Sequence, residues 1–237
     1  MKEEITVPRR LKTLSFYLSQ GAKFADIGSD HALLPIYTCL NDSKAIGIAG
    51  EVNKGPYERA KDNVKQYQLS HVIDVRLGNG LAIIQPNEIS ELVIAGMGGP
   101  LITSILEEGK GKLASINKLI LQPNIHARKV RYWLFQNNFQ ITEETILKEN
   151  GHFYEIIVGE FKSDTSLKNM PYERQEKDFI FGPILLQNKT SLFKQKWSEE
   201  KENIIKIINQ MKKATVKDDS KIMQFEKELN WIEEVLS

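Results

Sequence analysis

The sequence predicts an α/β fold in which a mostly parallel, seven-stranded sheet is covered by helices on both faces and followed by a helical hairpin. Three observations support this prediction. Short β-rich runs alternate with amphipathic helical stretches from about residue 11 to residue 161. The last two β-rich runs are too close together for a helix between them. After residue 161 no strand pattern remains, and apolar residues recur at helical spacings.

The size and composition of the chain fit one α/β domain with an appended element. Its 237 residues are 41% hydrophobic and 27% charged, which is ordinary for a soluble globular protein. The sequence shows no apolar run near the roughly 20 residues that cross a bilayer, and its charged start differs from a signal peptide. The single Cys39 and four histidines predict neither a disulfide nor a metal site. We therefore expect a cytoplasmic protein without a membrane segment or a metal.

The elements around the sheet follow from the apolar pattern in chain order. The predicted strands cover residues 23–27, 44–50, 73–77, 91–95, 118–122, 139–147 and 154–160. The predicted helices cover residues 9–18, 34–40, 55–66, 100–109 and 126–137. Residues 148–153 are too few for a crossover helix, so the last two strands are expected to form an antiparallel hairpin at one edge of the sheet.

The carboxyl-terminal part is predicted to be a separate helical domain. Residues 162–166 fit a linker, so we expect a first domain over residues 1–163 and a second over residues 164–237. Apolar spacings predict one helix within 191–213 and another in the closing segment, folded back through 214–219 as a coiled-coil-like hairpin. Residues 189–217 carry eight lysines and three glutamates, whereas residues 218–237 carry two lysines and six acidic residues. The first helix is therefore the basic one.

A nucleoside cofactor site is predicted where the first two strands end. Asp26 closes the first strand, where its carboxylate can accept bonds from loop amides or, directly or through water, from the ammonium group of a methionine moiety. Glu51 ends the second strand, where its carboxylate can accept bonds from both ribose hydroxyls. The turn lacks the glycine pattern that a dinucleotide needs, because Asp30 and Ala32 occupy it and a carboxylate repels pyrophosphate. S-adenosylmethionine has no phosphate and carries a sulfonium and an ammonium group. These residues therefore favour a methyltransferase, and the edge hairpin of the sheet is typical of the class I, Rossmann-like methyltransferases.

The segments after the third and fourth strands complete the predicted cofactor pocket. Asn79 lies where an adenine ring is expected. Three glycines leave the end of the fourth strand largely without side chains, so that a ligand can approach the backbone there. Simpler explanations remain open: Asp26 as a helix cap or a turn aspartate, Glu51 as a helix cap, and the glycine segments as ordinary turns. The predicted cofactor-binding residues are Asp26, Gly28, Ser29, His31, Glu51, Val52, Gly78, Asn79, Gly80, Ala95, Gly96 and Met97.

Six segments taken in order resemble one bacterial family. They are ADIGSDHA at 25–32, GIAGEVNKGP at 47–56, RLGNGL at 76–81, AGMGGPLI at 95–102, LILQPN at 119–124 and GHFYEI at 151–156. The chain is similar over essentially its whole length to the tRNA adenine-N1 methyltransferases that modify adenine 22 in the D-loop region of tRNA. In that family a Rossmann-like catalytic domain precedes a coiled-coil-like helical domain. Asn79 departs from the family pattern, which often has an aspartate there.

The resemblance implies S-adenosylmethionine as methyl donor and tRNA as partner, and we expect a monomeric enzyme. It implies that Asp30 is the catalytic acid-base residue, because a carboxylate can accept a hydrogen bond from the adenine N6 amine and stabilise the developing positive charge. Helix capping is the alternative for Asp30. The predicted substrate-binding residues are Arg9, Arg10, Gly98, Gly99, Gln122, Pro123, Asn124, Arg128, Lys194, Lys196 and Lys201, with Lys12, Lys129 and Arg131 as further phosphate contacts.

Several alternatives stay open at this point. The amides of Gln122 and Asn124 can bond a nucleobase edge or loop backbone, and Tyr17, Tyr37, Phe153 and Tyr154 are equal candidates to stack on the target base. Rival functions are a methyltransferase acting on a small molecule or a protein, and an RNA-binding scaffold with a vestigial pocket. A nicotinamide dehydrogenase is disfavoured by the unsuitable first turn.

Overall fold

The computed structural model describes residues 5–162 and 172–237. The chain divides into two compact units, Met1–Pro171 and Tyr172–Ser237. Of the predicted linker at 162–166, only residue 162 belongs to the described residues. The predicted domain boundary after residue 163 lies outside them. Within the described ranges no helix is both long and apolar enough to cross a membrane.

The first unit contains the predicted seven-stranded sheet. Its strands in chain order are β1 Lys23–Ile27, β2 Ile46–Glu51, β3 Ile73–Leu77, β4 Glu91–Gly98, β5 Lys118–Ile125, β6 Phe139–Glu149 and β7 His152–Phe161. They lie side by side in the order β3-β2-β1-β4-β5-β7-β6. The first five strands pair in parallel, while β7 is antiparallel to both β5 and β6. The predicted fold class is confirmed.

Several strands extend beyond their predicted ends at the edge where ligands bind in such sheets. Strand β4 continues to Gly98 through irregular pairing after Ala95, and β5 continues to Ile125, so the glycine segment is not simply a turn. The turn between strands β6 and β7 is also shorter than predicted. Only Asn150 and Gly151 separate them, and both have positive φ, as a tight type I′ turn requires.

Helices cover both faces of the sheet and bury two apolar layers. The helices of the first unit are α1 Arg9–Tyr17, α2 Leu33–Asn41, α3 Lys54–Gln66, α4 Gly99–Glu108 and α5 Ala127–Gln136, with short 3-10 helices at Gly80–Ile83 and Lys110–Ser115. Helices α1, α2 and α3 pack on the face that includes Phe24 and Ile120. Helices α4 and α5 pack on the opposite face, which includes Ile94 and Leu121. This alternation follows the period of two of a strand buried on both sides.

A buried ion cluster joins α5 to the edge hairpin. The Arg131 side chain is fully buried, and its Nε donates to Glu144 Oε1 at 2.6 Å while its Nη2 donates to Glu155 Oε2. Burial alone would lower the pKa of Arg131, but the charges of Glu144 and Glu155 outweigh burial and raise it. The prediction that Arg131 contacts RNA phosphates is therefore wrong, because its guanidinium lies inside the protein.

The second unit is helical, as predicted. Its helices are α6 Tyr172–Phe181, α7 Pro183–Asn188, α8 Ser191–Lys213 and α9 Asp219–Leu236. Thr190 and Asp218 cap α8 and α9 by accepting the backbone N–H groups of Phe193 and Lys221. The ring centroids of Phe181 and Trp197 are 4.6 Å apart in an edge-to-face arrangement.

Ion pairs link the basic α8 to the acidic α9. Lys201 Nζ lies 2.9 Å from Glu233 Oε1, and Lys212 Nζ lies 2.6 Å from Glu226 Oε1. The charge asymmetry of the two helices therefore serves in part to pair them. Lys201, predicted to bind substrate, already has an acidic partner on α9. Lys194 is exposed, and Lys196 Nζ lies 3.9 Å from the centroid of the Trp197 ring.

Candidate active site

The buried carboxylate of Asp26 stands at the end of β1. Ser29 Oγ donates to Asp26 Oδ2 at 2.6 Å, which is the local turn contact that the sequence left open. Burial raises the pKa of Asp26 to about 7, the Ser29 hydrogen bond lowers it, and the nearby Glu51 raises it further. Asp26 is thus an acid whose charge changes near neutral pH.

The turn after β1 brings the backbone close to the end of β4. Gly28 has φ +72°, a conformation that residues with a Cβ rarely adopt, and a Cβ there would lie 2.2 Å from Met97 Cε. The N–H groups of Gly28 and Ser29 both donate to the Gly50 carbonyl, at 2.9 and 3.1 Å. The turn is therefore anchored to β2, and the flexible Met97 side chain covers its glycine.

Glu51 is buried at the end of β2, with 6% of its surface exposed. Its Oε1 accepts the backbone N–H of His31 at 3.3 Å, and burial raises the pKa of its carboxyl group. The residue that caps α3 is Asn53, so Glu51 does not cap that helix. An acid at a buried strand end that does not cap a helix is a candidate to bind a polar group of a ligand.

Two exposed apolar side chains flank Glu51. Val52 is 61% exposed and Leu77, at the end of β3, is 49% exposed. Sequence reasoning missed Leu77, although its position as the last apolar residue of an edge strand was a usable signal. Asn79 is exposed and begins the short helix Gly80–Ile83 without a side-chain capping bond. These surfaces suit the two faces and the edge of a flat ring.

Asp30 projects from the rim of the site, with 84% of its side chain exposed. Its Oδ1 lies 3.5 Å from His31 Nε2. Helix α2 begins after Ala32, whose position is the N-cap and makes no side-chain capping bond, so the alternative of helix capping does not account for Asp30. The carboxylate is therefore available to a ligand in the cleft.

A polar network lies at the ends of β4 and β5. Gln122 is fully buried, and its Oε1 accepts from Arg10 Nη1 at 2.7 Å and from Gly96 N at 3.1 Å. Its Nε2 donates to Asn124 Oδ1 at 3.0 Å, while Asn124 Nδ2 donates to the Gly96 carbonyl at 2.8 Å. Both amides are thus engaged in holding the loops, which was one of the two alternatives left open by the sequence.

Arg10 extends this network to the edge hairpin. Its guanidinium carbon lies 5.4 Å from the centroid of the Tyr154 ring, and its charge acts to lower the pKa of Asp26. Arg10 is therefore turned inward to Gln122, whereas Arg9 and Arg128 are exposed. The sequence could not show this contact, because Arg10 and Tyr154 are far apart along the chain.

The remaining predicted substrate residues divide between packing and surface. Gly99 is buried at the start of α4, and a Cβ there would lie 2.3 Å from the His126 carbonyl oxygen, so its small size serves helix packing. Pro123 is also buried, whereas Gly98 is half-buried beside Ile125. We therefore assign Gly99 and Pro123 to the framework of the site.

The residues at this edge fit S-adenosylmethionine. Glu51 offers a buried carboxylate to a ribose diol, Val52 and Leu77 offer apolar surface to an adenine ring, and Asp26 offers a carboxylate to an ammonium group. Among the described residues, the buried His31 Nδ1 has no hydrogen-bond partner, which leaves an acceptor or donor for a ligand. Over the same part of the chain, no cluster of three potential metal ligands is present.

The fold and this site together define a class I methyltransferase that uses S-adenosylmethionine. A family model for TrmK, tRNA (adenine(22)-N(1))-methyltransferase, matches residues 24–234. The chain belongs to this family.

Characterised relatives share almost the full length of the chain. It is 38% identical over 237 residues to the tRNA (adenine(22)-N(1))-methyltransferase of Bacillus subtilis, covering 98% of each chain. The crystal structure of the B. subtilis enzyme superposes with a TM-score of 0.89, at 38% identity, over 99% of this chain and all of that one.

Two further structures hold a cofactor or its product. A Streptococcus pneumoniae protein, described as a putative tRNA (m1A22) methyltransferase in complex with S-adenosyl-L-methionine, is 39% identical with a TM-score of 0.85, over 98% of this chain and 100% of that chain. TrmK of M. capricolum in complex with S-adenosyl-homocysteine is 27% identical with a TM-score of 0.82, over 98% of each chain.

Proposed function

We propose that this enzyme methylates N1 of adenine 22 in tRNA, with the donor and the target base meeting at the carboxyl edge of β1, β2, β4 and β5. The observation that carries the assignment of the site is the convergence there of two buried acids, Asp26 and Glu51, with the exposed Asp30. This convergence supports a site for a cationic nucleoside beside a site for a neutral base.

The donor half of the site is formed by β1, β2 and β3. We assign the ribose hydroxyls to Glu51, the adenine ring to Val52, Leu77 and Asn79, and the ammonium group to Asp26. Gly28 and Gly96 let the backbone approach the ligand, since both have positive φ and no side chain. When bound, S-adenosylmethionine supplies an electrophilic methyl group on a sulfonium. The protein therefore needs to orient the donor rather than activate it.

The acceptor half depends on Asp30. We propose that its carboxylate accepts a hydrogen bond from the N6 amine of adenine, which makes N1 more nucleophilic. As N1 gains the methyl group the ring becomes cationic, and the negative charge of Asp30 stabilises it. The network of Arg10, Gln122 and Asn124 holds the backbone at Gly96, which forms the floor between the two halves.

The pKa of Asp26 predicts that donor binding weakens below neutral pH. The pKa of Asp26 is raised to about 7, chiefly by burial, so the free protein carries a proton there at pH 6. If the ionised form holds the ammonium group, the Kd for S-adenosylmethionine should rise about tenfold between pH 8 and pH 6. Calorimetry in buffers of different ionisation enthalpy should show proton release at pH 6. Asp26→Asn should bind more weakly at pH 8 and lose this pH dependence; an equally steep dependence in that variant would refute the assignment.

The second unit is proposed to contribute phosphate contacts to tRNA through the basic α8. Lys194 is the clearest candidate, because it is exposed, whereas Lys201 is paired with Glu233. Non-specific attraction of this kind adds affinity without reading sequence, so the identity of the target must come from tRNA shape and the base itself.

The function is tested by transfer of labelled methyl groups from S-adenosylmethionine to unmodified tRNA transcripts, followed by nucleoside analysis. We expect 1-methyladenosine in transcripts with adenine at position 22 and none in otherwise identical transcripts with guanine there. Label at another position, or no transfer despite donor binding, would contradict the proposal and favour a different acceptor.

The same assay tests the role of α8. Lys194→Gln should raise the KM for tRNA and make it less dependent on salt, while kcat and donor binding stay unchanged. Lys221→Gln, an exposed lysine on the acidic α9, is the matched control and should have no effect. Equal effects of the two substitutions would argue against a specific role for α8.

A further inference from the structure

The loop that presents Asp30 has an uncommon backbone. Asp30, His31 and Ala32 follow one another with φ of 46°, 68° and 61°, all in the left-handed region. Residues with a Cβ visit this region mostly singly, because the Cβ comes too close to the following carbonyl oxygen. A run of three persists only where surrounding contacts hold it.

The contacts that hold the loop come from β2, α3 and the core. The methyl group of Ala32 is fully buried in the apolar layer under α1, α2 and α3. On one side of His31, its N–H donates to Glu51 Oε1 at 3.3 Å. On the other side, its carbonyl oxygen accepts from Asn63 Nδ2 at 3.0 Å. The peptide groups flanking His31 are thus held from two directions.

Asn63 supplies a bond that the helix after the loop does not. Helix α2 uses the Ala32 carbonyl for its first bond, donated by Ile36 N at 3.0 Å, so the His31 carbonyl lies outside the helical ladder. Asn63 is half-buried on α3, and its amide donates to this carbonyl from an element that approaches the loop from outside. Loss of the amide would leave the carbonyl without this donor and the left-handed run less constrained.

We propose that Asn63 is a positioning residue for methyl transfer, fixing the left-handed loop so that the Asp30 carboxylate faces the target adenine. The inference rests on the role proposed above for Asp30. Glu51, the proposed ribose ligand, holds the same loop by accepting the His31 N–H. These two contacts therefore couple the methyl-donor side of the cleft to Asp30 on the acceptor side. Of the two residues that make them, Asn63 is the one not proposed to touch the methyl donor.

The first test compares Asn63→Leu, which removes the donor at similar volume, with Asn63→Gln, which keeps an amide. For Asn63→Leu we expect kcat to fall roughly 10- to 100-fold, as a misplaced catalytic group does. The Kd for S-adenosylmethionine, measured by calorimetry, should stay within about threefold of the unmodified enzyme, which also shows that the variant folds. Asn63→Gln should recover most of the rate. Asp62→Asn, an exposed neighbour on the same helix, is the control and should be unchanged.

A double-mutant cycle then separates the proposal from the function on which it rests. If Asn63 acts through Asp30, the variant Asp30→Asn with Asn63→Leu should be no slower than Asp30→Asn alone. Multiplied losses would overturn the proposal, as would full activity of Asn63→Leu beside an inactive Asp30→Asn. A loss of donor affinity that explains the whole effect of Asn63→Leu would also overturn it. Full activity of Asp30→Asn would instead overturn the role of Asp30.

Discussion

Substitution of Asp30 by asparagine is expected to lower kcat for tRNA methylation roughly 10²- to 10⁴-fold, the range lost with a general acid-base group. Asparagine has nearly the same shape and tolerates the left-handed backbone that Asp30 adopts, so the loop should remain in place. What is lost is the negative charge that stabilises the cationic product ring. The effect should therefore appear in kcat and not in binding of the donor.

The matched measurements follow from the surroundings of Asp30. The pKa of Glu51 is raised chiefly by burial and further by the Asp30 charge, so Asp30→Asn should favour the ionised form of Glu51 and keep donor binding within about threefold. Asp62→Asn provides an exposed carboxylate control in the same unit. Single-turnover kinetics with saturating tRNA isolates the chemical step. Activity of Asp30→Asn within threefold of the unmodified enzyme would remove Asp30 from the mechanism.

The order of elements could be predicted because each strand and helix has its own apolar period. Strands buried on both faces read as continuous apolar runs, and β1 was predicted with its observed bounds. The irregular pairing between Ile141 and Glu143 in β6 could not be predicted. An extra residue in one strand reverses which side chains face each side, so a simple alternation no longer identifies the buried face.

That irregularity also hid the buried ion cluster. Opposite Ile157, Glu144 faces the layer under α4 and α5, where a period of two counted from Phe139 would have turned it to the other side. Arg131 lies on the same helix as Arg128, and composition alone could not tell a buried guanidinium from an exposed one. The carboxylates of Glu144 on β6 and Glu155 on β7 make its burial tolerable.

In the candidate site, too, some residues could be predicted from the sequence and others could not. Asp26 and Glu51 could be predicted because each lies at the carboxyl end of a strand, and the ends of parallel strands meet at one edge. The role of Asp30 was predicted from the family resemblance. The contacts of Arg10 with Gln122 and of Asn63 with His31 could not be predicted, since they join elements with no local signature. Apart from Leu77, the groups proposed to touch ligands could thus be predicted from the sequence, whereas the groups that hold them in place required the structure.

Substitution of Arg131 by methionine is the second change with a large expected effect, and it acts on stability. Removing the guanidinium leaves Glu144 and Glu155 buried near each other without their shared cation. Breaking a buried ion pair by removing one partner typically costs about 3–5 kcal/mol, so we expect the free energy of unfolding to fall by about that amount. Urea denaturation followed by circular dichroism should show the transition of the first unit at lower urea, because α5 and the edge hairpin would lose their common anchor.

The control variant removes the two negative charges instead of restoring the positive charge of Arg131. With Arg131→Met, the further changes Glu144→Gln and Glu155→Gln remove the two negative charges that the guanidinium had balanced and should recover a substantial part of the lost stability. Lys129→Met, an exposed residue on the same helix, should change stability by less than about 0.5 kcal/mol. A loss below about 1 kcal/mol in Arg131→Met at neutral pH would contradict the stabilising role of the guanidinium. Proton uptake by the two glutamates could not explain so small a loss, because protonating each of them costs about 1.4 kcal/mol for every pH unit above its pKa in the unfolded chain.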